Sequence, residues 1–245
     1  LPLGNGFLGA NVFGGVAQER IQITESTLWN PLNLGGLNNA AELYLRFAHG
    51  DAANDYERGL SLDDAVAACR YAIGGVTYTR EIFASYPDRV LAIRLTASRP
   101  GALTFSVCPE IPFVKDYAVK PGDGGGKSGT VTAAGDTLRL SGRLHASNVR
   151  FEGRVRVLTE AGRLTTAGNS IAVAAADAVV ILVAFATNYR LESRVFLEPD
   201  TAKKLTDSDP GPTADAQLVA AAARGYEALK LRHLDDHRAL FGRVE

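Results

Sequence analysis

Arg70-Tyr71-Ala72-Ile73-Gly74-Gly75-Val76-Thr77-Tyr78-Thr79-Arg80-Glu81-Ile82-Phe83-Ala84 is the stretch on which the fold class turns. Two runs, Arg70 to Ile73 and Val76 to Ala84, flank a Gly-Gly pair. A two-residue hairpin loop of type I′ needs positive φ at both central positions, which glycine adopts without steric cost. The stretch therefore predicts an antiparallel hairpin. Pro87-Asp88 then turns the chain into Val90 to Thr96, where Val90, Ala92 and Arg94 alternate with Leu91, Ile93 and Leu95. That alternation suits a half-buried strand.

The same punctuation extends in both directions. Upstream, Phe7 to Phe13 closes at Gly14-Gly15, Arg20 to Ile23 follows, and Leu43 to Phe47 resumes after a loop. Downstream come Ala102 to Val107, Thr130 to Ala133, Thr137 to Ser141, Phe151 to Thr159, Arg163 to Thr166 and Ile171 to Ala174, several divided by Gly-containing turns. Val179 to Thr187 is almost wholly apolar, as expected of a strand covered on both faces. About a dozen strands joined by tight turns, with no βαβ alternation, predict a mainly β fold: a large antiparallel two-sheet β-sandwich. The end differs. After Ser208-Asp209-Pro210-Gly211-Pro212, Thr213 is placed to cap a helix over Ala214 to Ala223. Beyond Gly225 a second helix over Tyr226 to Phe241 gathers Tyr226, Leu229, His233, Leu234, His237 and Phe241 near one face. The expected division is a sandwich over residues 1–212 and linker helices over 213–245.

Composition narrows the function classes. Of 245 residues 46% are apolar, enough for a sizeable core. The net charge of −1, with both signs interspersed, gives no one-sided basic field for nucleic acid or an anionic membrane. The longest apolar stretch, Ala178 to Ala186, is too short to span a bilayer. The chain opens on Leu1 and contains no Met, so it is expected to be a processed or excised piece. Cys69 and Cys108 match no zinc spacing and are expected to be buried thiols.

Three segments invite a chemical reading. Gly122-Asp123-Gly124-Gly125-Gly126-Lys127-Ser128 ends like a phosphate-binding loop. However, Pro121 stands where the motif needs its first Gly, and Thr130-Val131-Thr132 reads as strand rather than helix. Pro121 to Gly129 is expected to be a surface loop. His233 and His237 have a zinc-ligand spacing, but Leu234 replaces the Glu of the protease motif and no third ligand is in view. No metal and no cofactor are expected.

The third segment, Glu25 to Asn39, holds the only Trp among four Asn residues and a Gly-Gly pair. An aromatic face and planar amides are what a sugar needs, because its C–H face is apolar while its hydroxyls require fixed partners. The competing reading is a core Trp29 with Asn residues in turns. No acidic residue has a context that marks it as catalytic.

Leu1-Pro2-Leu3-Gly4-Asn5-Gly6-Phe7-Leu8-Gly9-Ala10 with Val12-Phe13-Gly14-Gly15-Val16 resembles the start of the N-terminal domain of glycoside hydrolase family 95. Thr24-Glu25-Ser26-Thr27-Leu28-Trp29 stands where that family has an Asn-Glu pair followed by Leu-Trp. Further matches are Gly74 to Arg80, Phe83 to Asp88, Arg94-Leu95-Thr96 and the terminal Gly225 to Leu229. Asn30-Pro31 departs from the family's Ser-Gly, and Phe7 and Asn11 replace its usual Arg and Met. The resemblance implies a non-catalytic domain of an exo-acting, inverting hydrolase that releases terminal α-L-fucose or α-L-galactose from glycans, acting outside the cytoplasm. Its catalytic groups would lie in an (α/α)6 barrel beyond this chain, leaving room between them for the attacking water. The domain would contact that barrel and shape its cleft, with Glu25, Trp29 and Asn30 as candidate substrate-binding residues. The alternatives are an autonomous carbohydrate-binding module and the N-terminal domain of another (α/α)6 glycosidase or phosphorylase.

Overall fold

The computed structural model describes residues 1–30, 36–112, 126–145 and 147–243, without the side chains of Trp29, Asn30, Leu37 and Phe196. In chain order the strands are β1 (Pro2–Gly4), β2 (Leu8–Val12), β3 (Gln18–Asn30), β4 (Gly36–Phe47), β5 (Asn54–Ser61), β6 (Val66–Ile73), β7 (Val76–Ser85) and β8 (Val90–Ala97). They continue as β9 (Leu103–Glu110), β10 (Lys127–Ala134), β11 (Thr137–Leu144), β12 (Arg150–Glu160), β13 (Arg163–Ala167), β14 (Ser170–Ala176) and β15 (Ala178–Thr187). Helices α1 (Ser193–Phe196), α2 (Gly211–Arg224) and α3 (Tyr226–Phe241) follow, with a short 3-10 turn at Thr201–Lys204.

The strands form two antiparallel sheets, one of seven in the order β1-β2-β3-β4-β9-β14-β13 and one of eight in the order β10-β11-β12-β15-β8-β7-β6-β5. The Gly74-Gly75 hairpin forms as its sequence requires: both residues have positive φ, and Ile73 pairs with Val76. Between the sheets, Ile21, Ile23, Leu43, Leu45 and Val107 meet Ile82, Leu91, Ile93, Val155, Ile181 and Val183, all nearly inaccessible. Each such side chain contributes about 1.5–3 kcal/mol by leaving water. A second layer lies on the outer face of the eight-stranded sheet, where Phe83, Val90, Ala92, Leu182 and Ala184 pack against Leu218, Ala221, Tyr226 and Leu229 of the helices. β15 is thus covered on both sides, which is why its sequence is apolar without alternation.

Charged groups fix the helices to that sheet. Asp88, in the β7–β8 turn, is buried and faces Arg224 at 3.4 Å and Arg232 at 3.2 Å. Glu81 accepts from the Tyr226 hydroxyl and the Lys230 ammonium, each at 2.9 Å. Arg154, itself buried, reaches Asp215 of α2 at 2.7 Å.

Several expectations are corrected. Residues 24–30 and 36–42 are strand rather than loop: β3 runs on to Asn30 and pairs with β4, with register shifts at Ile23/Thr24 and Thr24/Trp29. β5, at the edge of the eight-stranded sheet, leaves no alternating apolar trace in the sequence, because nearly all its residues are exposed. α2 begins at Gly211, before the expected cap, and Thr213 lies inside its first turn. Pro212 needs no N–H partner there, and the Asp209 carboxylate takes the Gly211 amide at 2.9 Å. Of the α3 stripe, Tyr226, Leu229 and His233 are buried, whereas Phe241 projects into solvent.

His233 donates its Nε2 proton to the Asp64 carbonyl and His237 donates to that of Leu62, both at 2.8 Å, so the pair fastens α3 to the β5–β6 turn. Cys69 is buried, but Cys108 is only partly buried, because it alternates outward on β9 between Val107 and Pro109. Of the loop expected at Pro121 to Gly129, residues 121–125 lie outside the described residues, and Lys127 already belongs to β10. No described helix is long and apolar enough to cross a membrane.

Candidate functional site

Strand β3 carries Glu19, Ile21, Ile23 and Glu25 on its inner face, since every second side chain of a strand shares a side. The carboxylates stand at the two ends of the apolar pair. The end at Glu25 opens into a cleft of about 120 Å³. It lies where β3 of one sheet approaches the end of β15 of the other, and the first turns of α2 close one side.

Local sequence explains each wall. Asn5, buried between Gly4 and Gly6, accepts from the amides of Phe7 at 3.0 Å and Leu8 at 2.7 Å, and donates to the Ser85 carbonyl at 2.8 Å. This Asx-type turn ties the β1–β2 loop to the β7–β8 turn. Gly6 carries the positive φ of +81° that the turn requires. Phe7 then stacks on Tyr86 with ring centroids 5.5 Å apart, and the Arg89 guanidinium lies 4.1 Å from the centre of the Phe7 ring. Arg89 holds a left-handed backbone, φ +55°, to make that approach. On the other side Phe185 of β15 lies over Gly153 of β12, its cross-strand partner. A Cβ at Gly153 would fall 2.6 Å from the ring, so only glycine lets Phe185 lie flat as a wall of the cleft.

Glu25 is 6% exposed. Its Oε2 accepts from the Thr27 amide at 2.8 Å and the Thr27 hydroxyl at 2.6 Å. That hydroxyl also meets the hydroxyl of Thr187 on β15, joining the two sheets at the floor of the cleft. No ion pair reaches Glu25 among the described residues, and burial pushes its carboxyl above the usual range, against the pull of the Thr27 donors. Gln217 of α2 and Thr213 complete the rim. The cleft thus combines a desolvated carboxylate, two hydroxyls, an amide, a guanidinium and apolar walls, a set suited to holding a small polar ligand.

Among the expected site residues, Glu25 lies in this cleft. Trp29 and Asn30 continue the same strand, with backbones paired to Leu37 and Gly36, but their side chains lie outside the described residues. Thr27, Thr187, Arg89 and Gln217 were not anticipated. Thr27 carried one usable signal, a polar residue two positions after Glu25 and therefore on the same side of the strand. Gln217 carried none, because its place depends on how α2 docks.

The sequence model described as "Glycosyl hydrolase family 65, N-terminal domain" matches residues 1–38 and 33–192. The chain belongs to that family. Among curated relatives of this family member, "Alpha-L-fucosidase 2" of Arabidopsis thaliana is 26% identical, covering 100% of the chain and 34% of the relative. "Probable alpha-fucosidase A" of Aspergillus niger is 24% identical, covering 99% and 35%. The chain therefore spans about a third of the length of the curated relatives it matches. Among solved structures, "Putative kojibiose phosphorylase from human microbiome" superposes with a TM-score of 0.55 over 98% of the chain and 35% of its own, at 9% identity. That likeness shows a shared fold.

Proposed function

We propose that the chain is the N-terminal β-sandwich of a longer hydrolase of the glycoside hydrolase family 95 type, which removes terminal α-L-fucose or α-L-galactose from glycans with inversion. The sandwich braces a helical catalytic barrel and lends Glu25, Trp29 and Asn30 to the rim of its cleft. The observation that carries this reading is the alignment of essentially the entire chain with two fucosidases about three times as long. α3 is anchored to the sheet by its ion pairs and histidines, and leaves Leu231 on its outer side and Leu240 and Phe241 at its C-terminal end exposed for contact. Export to the periplasm or the medium belongs to the same proposal, since glycans of this kind lie outside the cell.

The test is hydrolysis of p-nitrophenyl α-L-fucoside and α-L-galactoside by the full-length protein and by this chain alone. The full-length protein is expected to cleave one or both, giving the inverted sugar by NMR, and the chain alone neither. Cleavage by the chain alone would overturn the proposal, as would inertness of the full-length protein towards both.

A further inference from the structure

The two sides of the sandwich end differently. On one side the edges are β1, of three residues, and β5. β5 carries Asp55, Glu57 and Arg58, shifts register against β6 between Asn54 and Glu57, and holds Asp55 at φ +51°. The Tyr56 hydroxyl donates to the Gly14 carbonyl at 2.7 Å and Arg58 donates to that of Phe13, which fastens this edge to the β2–β3 loop of the other sheet. Charges, irregular register and cover are the devices by which an edge strand refuses a further strand. On the other side the edges are β10 and β13, which face each other across the core. Among the described residues β10 pairs with β11 alone and β13 with β14 alone. Ser128 to Ala134 of β10 contain no charge and no proline, and Thr130, Val131 and Thr132 favour the extended backbone. The one charge in the strand, Lys127, is buried and donates inward to the Asn39 carbonyl. β13 carries a single charge, Arg163, at its start. The eight residues of β10 present roughly 27 Å of edge.

We propose that this side is an interface between two copies of the chain, joined by antiparallel pairing of β10 with the β10 of a second copy. A two-fold axis perpendicular to the sheets brings β10 to β10 and β13 to β13 in one movement, because the two edges lie over one another. The eight-stranded sheet then continues into its partner through backbone hydrogen bonds. The strand is self-complementary. Centred on Val131, the pairing sets Thr130 against the partner's Thr132, Gly129 against the partner's Ala133 and Ser128 against the partner's Ala134. No like charges meet, and threonines opposite one another are a favourable cross-strand pair. A strongly charged partner has nothing to recognise along this edge, whereas a second copy brings the same uncharged strand with the same spacing. The contact is small, so the dimer is expected in the micromolar range rather than tighter. The inference does not depend on the hydrolase reading.

The test is sedimentation equilibrium of the 245-residue chain from low micromolar to submillimolar concentration, where a monomer–dimer equilibrium is expected. Thr130→Lys with Thr132→Lys sets lysine against lysine twice across the axis and should weaken the dimer about tenfold. Thr130→Glu with Thr132→Glu should do the same, and mixing the two double variants should restore association, which a merely misfolded strand would not do. Both threonines are exposed, so the changes spare the core. Glu57→Lys on β5 should leave the dimer unchanged. A chain that is monomeric at every concentration overturns the proposal. So does a dimer indifferent to the paired lysines, a mixture that fails to associate, or a dimer abolished by Glu57→Lys. The full-length protein is measured in the same way. If it is monomeric while the chain dimerises, the remainder of that protein covers the edge, and a second copy is not its occupant. None of these results bears on the hydrolase reading, which is decided by cleavage.

Discussion

Glu19 and Glu25 are on the same strand, on the same face and almost equally hidden from water, yet their surroundings differ. Glu19 meets Arg80 of the opposite sheet, Nη1 to Oε2 at 3.0 Å, too obliquely for a hydrogen bond and so mainly by Coulomb attraction. Its other oxygen takes the amides of Gly14 at 2.8 Å and Arg20 at 3.0 Å. Arg80 donates to the Gly15 carbonyl at 2.6 Å and lies over the rings of Phe47 and Tyr71. Glu25 has hydroxyl and amide donors but no cation, and it borders open space. A buried charge that is paired and enclosed serves the fold. One left unpaired at a cleft is held there against its own desolvation cost, which is the mark of a site.

The largest effect is expected from breaking the enclosed pair. Arg80→Met leaves Glu19 buried without its counter-charge and should lower unfolding free energy by about 3–5 kcal/mol. The double variant Arg80→Met, Glu19→Leu should recover most of that loss, since removing both members costs far less than removing one. Urea midpoints of the two variants and the parent measure this. A single variant as stable as the parent would show that the pair does not carry this end of the sandwich.

The contrast also explains what was legible in the sequence. The hairpin at Gly74-Gly75 could be read because its turn chemistry and both flanks agree locally. The burial of β15 could be read from its unbroken apolar run. Glu25 could be singled out as a residue, but its strand could not be: Glu25-Ser26-Thr27 and the Asn-rich stretch beyond carry turn-forming residue types. It is pairing with β2 and β4 that extends them. Glu25 is held by Thr27 close by, but the rest of its cleft comes from β15 and α2, 160 or more residues away in the chain, and no spacing rule links them. The same holds for Arg80 and Glu19, each an ordinary charged residue until two sheets face each other.

A second change sharpens the comparison from the open end. Gly153→Ala places a methyl 2.6 Å from the Phe185 ring, and the neighbouring strands leave that ring no flat alternative. Overpacking of this kind costs about 1–3 kcal/mol. Because Phe185 walls the cleft, the ring should swing toward Glu25 and Thr187 as stability falls. Thermal melting measures the loss, and amide NMR shifts at Thr27 and Thr187 report the displaced ring. Lost stability with those amides unmoved would separate Phe185 from the cleft.

The smallest effect, opposite in sign, is expected at Glu25 itself. Burial raises its carboxyl above the ordinary value of 4.5, so over the interval from 4.5 up to its folded value the native state holds a proton that the unfolded chain has released. Stability then falls as pH rises through that interval. Glu25→Gln removes the titration and keeps an oxygen that accepts from Thr27. The variant should therefore match the parent near pH 4.5, gain on it up to the folded value of the Glu25 carboxyl, and hold a constant lead above that. Glu19, also raised by burial, and His233, lowered by burial and so destabilising as pH falls below 6.5, titrate alike in both proteins and cancel in the difference. Melting temperatures of the two proteins across this range read the slope directly. A difference that stays flat would mean that Glu25 ionises as freely as in the unfolded chain, and the contrast with Glu19 would then lose its physical basis.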